Sequence, residues 1–140
     1  MIRKILFLIG RILFSLIFLI AGLQKILNWS EMESGLAMKF CEWYTHLHGL
    51  HLFETLLAFV PALLMLATFF EIVGGLLFLS GFGKRIGALL LLLFLIPTTF
   101  LYHDFWFQVG DQRVIEQIMF MKNLALIGAL LVFTVQPSKK

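Results

Sequence analysis

Four long apolar stretches, separated by polar connections of unequal length, dominate the chain. They run over residues 5–27, 55–79, 86–102 and 118–135. Each is near the ~20 residues a helix needs to cross a hydrocarbon core about 30 Å thick. The third is almost pure leucine from Leu89 to Leu95, with only Phe94 departing. A helix apolar on every side is not a one-sided surface helix of a soluble protein. Barrel strands would alternate in polarity and be about half as long. The pattern predicts an all-α protein, a membrane-embedded four-helix bundle forming one domain over residues 1–140.

The connections predict the rest of the outline. Gly81-Phe82-Gly83-Lys84-Arg85 is expected to be a tight turn, and residues 104–116 a short polar loop. The connection from Asn28 to Glu54 is much longer, and such a loop usually carries structure of its own. Its mixture of Met, Trp, Leu and His predicts a short amphipathic helix lying at the membrane surface over residues 31–46. Trp29, Trp43, Tyr44, Tyr102 and Trp106 fall in connections or at helix ends, where amphipathic rings form an aromatic belt at the headgroups. The first stretch is expected to be retained. It follows Arg3 and Lys4, but it exceeds the about 7–15 residues of a signal core and no small-x-small site precedes Gln24-Lys25.

Composition removes the water-soluble alternative. Of 140 residues, 61% are hydrophobic and 14% charged. A chain this short has too little interior to hide so much apolar surface. The single cysteine, Cys41, excludes a disulfide-stapled module and CxxC thiol chemistry. A net charge of +3 argues against a nucleic-acid partner, and no phosphate loop, nucleophile triad or dinucleotide fingerprint is present.

The placement of the charges says more than their sum. Arg3, Lys4, Lys84, Arg85, Lys139 and Lys140 occupy the two ends and the middle turn, with no acid among them. The other two connections carry Glu31, Glu33, Glu42, Glu54, Asp104, Asp111 and Glu116 against Lys39 and Arg113. The positive-inside rule then puts both termini in the cytoplasm and the long connection outside.

Ionisable groups within spans cost about 2.5–3.5 kcal/mol on insertion scales, so each needs a reason. Arg11, Lys25, Glu71 and Lys122 are such groups, with His103 at the end of the third stretch. At ~1.5 Å per residue, Arg11 stands about 9 Å from the inner end of its helix and Glu71 about 12 Å from the inner end of its own. These depths predict a structural Arg11–Glu71 ion pair, a lock between the first two spans. A second layer nearer the outer surface gathers Gln24, Lys25, His103, Asp104, Lys122 and Asn123. Two readings of it stand open. The lysines snorkel to the headgroups, or the cluster forms a pocket for a carboxylate, a sulfur oxyanion or a quinone carbonyl, with His103 able to exchange a proton. Pro97 would loosen the helix below His103. His46, His48 and His51 resemble a metal tract, but Gly49 and their divergence around a helix argue against one. Gly83 and Gly87 have the spacing of a helix-dimer motif but straddle the turn.

Gly10-Arg11 with Gly22-x-x-Lys25, Glu71-x-x-Gly74-Gly75, Gly81 with Arg85, His103, and Lys122-Asn123-Leu124-Ala125 together resemble the DoxX family of small four-helix membrane proteins. The resemblance runs over nearly the whole chain and departs at the long first connection. It implies a bacterial inner-membrane protein. The family's namesake is similar to a subunit of a thiosulfate:quinone oxidoreductase. The fold also resembles the bundle of vitamin K epoxide reductases, whose cysteines this chain lacks. Two functions are therefore carried forward. In the first, a redox-associated subunit with no cofactor motif of its own binds a quinone or small anion through Lys25, His103, Lys122, Asn123 and Gln24, beside a membrane redox partner. In the second, a non-enzymatic scaffold, carrier or small transporter uses Glu71 as a coupled group. The bilayer is the common partner of both, and a homo-oligomer stays open.

Overall fold

A computed structural model describes residues 2–135; Lys139 and Lys140 lie outside the described residues. Six α-helices follow in order: α1 (Ile2–Leu27), α2 (Trp29–His46), α3 (His51–Leu57), α4 (Val60–Ser80), α5 (Lys84–Tyr102) and α6 (Gly110–Val135), with a 3-10 turn at Phe105–Phe107 between the last two. Helices α1, α4, α5 and α6 are long and apolar enough to cross a membrane. Helix α4 packs against α1 on one side and α5 on the other, and α5 packs against α6. Rings join α6 to the far side of the bundle, where Phe133 lies 6.4 Å from Phe7 and 4.8 Å from Phe78 between centroids. Helices α2 and α3 form a cap over one end of α4.

The expected spans are present, with three shifts at their ends that have physical causes. The second span begins at Val60, and residues 51–57 form a helix of their own. Pro61, in the first turn of α4, lacks an N–H and its ring would strike the Leu57 carbonyl if one helix continued through. The third begins at Lys84, straight after the left-handed Gly83. The fourth starts at Gly110, eight residues before its apolar stretch, because the apolar stretch marks what lipid covers and not where the backbone begins to coil. The predicted interfacial helix is α2, slightly longer than expected. Helix α5 runs through Pro97, and the hydroxyls of Thr98 and Thr99 donate to the Phe94 and Leu95 carbonyls around it (2.7 and 2.6 Å).

Two cores result. Phe18, Phe78, Leu91, Leu92, Phe94, Leu95 and Leu130 fill the space among the long helices. Leu36, Phe40, Phe53, Val60 and Leu64 seal the cap onto α4. The outward faces of α1 and α6 stay apolar and exposed, as lipid as solvent requires. Gly87 does not serve a helix dimer. It lets α5 approach α4 so closely that a Cβ there would sit 2.9 Å from both the Gly74 carbonyl oxygen and the Phe78 amide nitrogen.

Both neighbours are backbone and cannot rotate away. Gly87→Ala is therefore expected to force α4 and α5 apart and cost about 1–3 kcal/mol. Gly128→Ala, where an added methyl meets open space, should be neutral or slightly stabilising. Melting of the two purified variants in one detergent compares them directly.

A candidate ligand cavity between the cap and the bundle

The α1–α4 register decides which buried charges meet. A Cβ at Gly22 would reach Ile72, one at Gly75 would reach Phe18, and the Phe14 ring tilts against Phe78 at 5.0 Å. In this antiparallel register Glu71 stands level with Gly22–Lys25, and Arg11 stands level with Gly81. Lys25 Nζ accordingly donates to Glu71 Oε2 at 2.6 Å, and lies 5.0 Å from the centroid of the Phe94 ring. Glu71 is 2% exposed.

The expected Arg11–Glu71 pair is replaced. Arg11 packs its guanidinium over Gly81 and near Phe7, and its buried Nε has no hydrogen-bond partner among the described residues. The depth argument assumed that α1 and α4 end at one level. In fact the N-terminal end of α1 runs more than two turns past the Gly81 turn, which lowers Arg11 to the level of Gly81 and brings Lys25 down to the height of the carboxylate.

Beneath the cap lies a cavity of about 710 Å³. Met32, Leu36, Phe40 and Trp43 roof it from α2. Leu64, Ala67 and Phe70 of α4 and Phe94 and Leu101 of α5 form its walls. Polar groups are few, chiefly Lys25 and, toward the cap, Tyr102 and His103. Leu66, Leu93, Pro97 and Phe100 also line it and are exposed on the outer faces of α4 and α5. The cavity thus opens sideways, within the apolar length of the spans.

The roof is tied down at two points. The Trp43 indole N–H donates to the Leu101 carbonyl at 2.9 Å, and Lys39 Nζ lies 3.0 Å from Asp104 Oδ2 and 2.9 Å from Glu42 Oε2. Asp104 is 1% exposed and accepts a further bond from Gln108. Asp104, grouped by the sequence with Lys25 and Lys122, pairs instead with Lys39. Trp43 is half-buried, stacked on Phe53 and edge-on to Phe107. His46 stacks on the Phe107 ring at 4.3 Å while His51 reaches Glu54, and no group of three metal-ligating side chains forms among the described residues.

The predicted outer layer is split by the fold. Lys25 and His103 line the cavity. Gln24 and Lys122 are exposed and Asn123 half-buried, and none of these three lines it. From Phe94, beside Lys25, to His103 is nine residues of α5, roughly 13.5 Å of rise. Sequence reasoning missed Glu116, whose Oε2 lies 2.8 Å from His103 Nδ1, and Lys39. Both had a signal. Glu116 shares a helix face with Phe120 and Asn123 at the mouth of the fourth apolar stretch, and Lys39 is the lone Lys or Arg in a connection rich in acids.

Two predictions follow from these pairs. Lys25→Met or Glu71→Leu alone leaves an unmatched group in the membrane and should cost on the order of 3 kcal/mol, while the double variant recovers most of it. Arg11 and Glu71 should show no coupling in the same melting cycle. At the cap, burial alone would lower the Lys39 pKa, but the hydrogen bonds and charges of Glu42 and Asp104 outweigh it and raise it above 10.5. The contribution of this pair is then complete below pH 10.5 and fades as pH climbs through the higher folded value. Proteolysis at the cap should be flat across the neutral range and rise only at stronger alkalinity, and Asp104→Asn should open the cap at neutral pH.

The DoxX family profile matches residues 6–104. That segment begins in the second turn of α1, contains both ion pairs just described, and ends at the buried Asp104, leaving α6 outside. No curated protein and no solved structure matches the chain significantly. With four helices able to span a bilayer and this match over most of its length, the chain is a multi-pass membrane protein that belongs to the DoxX family.

Proposed function

We propose that the protein binds a neutral, lipid-soluble ring compound of the quinone type in the cavity beneath the cap, as a redox-associated subunit of a bacterial inner membrane. The observation that carries this reading is a cavity that is almost wholly apolar, opens sideways at membrane depth, and has a hydrogen-bond donor on its wall. Its size falls among ordinary ligand sites, and apolar walls with a few placed polar groups are their usual make-up.

The small-anion reading loses ground for an electrostatic reason. Lys25 is already matched by Glu71 at 2.6 Å, so the wall offers N–H groups but little net positive charge. A carbonyl oxygen needs only the former. An anion would have to leave water for an apolar chamber without a free counter-charge. The charge distribution supports cytoplasmic termini: Arg3, Lys4, Lys84 and Arg85 gather at the turn end, and most acids at the cap end. The single cysteine provides no dithiol within one chain, so electrons would be exchanged with a partner subunit.

One observation favours the scaffold reading as a second choice. Lys122 lies near the middle of α6, exposed and with no partner among the described residues, where an acidic group on a neighbouring protein's helix would match it.

The test is saturable binding of a decyl-substituted benzoquinone to the full chain in nanodiscs, by calorimetry. Ala67→Phe fills the cavity from α4 and should weaken binding at least tenfold without lowering the melting temperature. A decyl-substituted benzoate should not displace the quinone. Unchanged binding in Ala67→Phe, or displacement by the benzoate, would overturn the assignment.

A further inference from the structure

His103 and Glu116 form a pair that the cavity reading above does not use. His103 caps the C-terminal end of α5 and is among the residues that line the cavity. Glu116, one and a half turns into α6, holds the other side of that ring through Nδ1 at 2.8 Å. The second carboxylate oxygen of Glu116 accepts a bond from Gln112 Nε2 at 2.9 Å. Both oxygens are therefore occupied, and the carboxylate is fixed from within its own helix.

A carboxylate only accepts hydrogen bonds. The proton of a neutral His103 is thus placed on Nδ1, and the carboxylate–histidine arrangement sets the tautomer, as it does for histidines that must present one defined nitrogen. Nε2 is left as a lone pair, and it has no partner among the described residues. With His103 in that neutral form, its Nε2 is an acceptor at the cap end of the cavity, beside the Tyr102 hydroxyl, whereas the Lys25 end offers donors. These ends are roughly 13.5 Å apart along α5, so a ligand head seated under the cap is near His103 and Tyr102 and away from Lys25.

We propose that Glu116 is a positioning residue that holds His103 as a hydrogen-bond acceptor, so that the cavity selects ring compounds carrying a hydroxyl group, the phenolic or reduced quinol form, over their fully carbonylic or etherified counterparts. The inference rests on the cavity reading and adds to it which form of the ring is preferred. Neither a proton transfer nor an electron transfer is needed for the selection; it is a matter of which partner completes the Nε2 lone pair. A carbonyl oxygen facing that lone pair would leave both acceptors unmatched in an apolar site, and an unmade hydrogen bond there is costly.

The experiment compares 4-decylphenol with 4-decylanisole, which differ in the hydroxyl proton and one methyl group and are not readily interconverted by air. Binding to the full chain in nanodiscs is measured by calorimetry, alongside the ¹⁵N spectrum of His103. The phenol is expected to bind at least tenfold more tightly than the ether. His103→Phe should abolish that preference while retaining binding of the ether. Glu116→Ala should shrink the preference and move His103 from the Nδ1–H to the Nε2–H tautomer, a change that a merely structural loss would not produce. Equal binding of the two probes, or an Nε2–H tautomer in the unaltered protein, overturns this inference alone. Absence of binding by either probe overturns it together with the cavity reading.

Discussion

A carboxylate 2% exposed and flanked by hydrocarbon leaves little freedom to the structure around it. Glu71 must be matched, and Lys25 matches it at 2.6 Å. To bring the lysine there, α1 lies against α4 with Gly22 facing Ile72, where even a methyl group would be too large. This contact fixes the α1–α4 register along its whole length, down to Phe14 on Phe78 and Arg11 over Gly81. It also sets the electrostatic character of the cavity, since the cation on its wall is spent. A pair of this kind is weak evidence for stability, because desolvation offsets much of the attraction. Its stronger consequence is specificity of register, for a slip by one turn would leave both charges alone in lipid.

The cap is held by a different logic. Helix α2 carries acids and tryptophans together and lies across the end of the bundle, where water is near. There the Lys39–Asp104 pair and the Trp43 bond to Leu101 act as two ties of different chemistry. The indole bond uses a carbonyl near the end of α5, one of those an α-helix leaves without an internal partner. Roof and wall are thus joined at the point where α5 has bonding capacity to spare. The apolar cluster of Leu36, Phe40 and Phe53 closes the remainder.

The four spans were readable because lipid imposes a length and a composition on any helix that crosses it. Run lengths alone located α1, α4, α5 and α6 to within a turn or so at most ends. What run lengths could not show is relative height. The expected Arg11–Glu71 pair used sound depths within each helix and a wrong level between them, because α1 extends past the Gly81 turn. Level is set by contacts such as Gly22 with Ile72, which a single chain's periodicity does not reveal. The fourth helix illustrates the other limit. Its first eight residues, 110–117, are polar enough to read as loop, yet Gln112 and Glu116 bond each other across one turn and belong to the helix. Taking them as loop hid Glu116 from view.

The boundary of the family match bears on how the cavity is assembled. Residues 6–104 supply Lys25, Glu71, the roof and His103, hence the shape of the chamber and its donor end. Glu116 comes from α6, beyond that segment, and touches the cavity only through His103. A histidine at a helix end with no carboxylate behind it could present either nitrogen, and would accept hydroxyl and carbonyl groups with little discrimination. The segment that builds the chamber therefore does not by itself define the polarity of its cap end. That property arises from how α6 docks on α5, with Phe120 edge-on to Phe100 at 5.4 Å and the same helix carrying Glu116 one turn earlier. On the proposed reading, packing between two lipid-covered helices thereby becomes a determinant of what the chamber accepts, although α6 contributes no side chain to its wall.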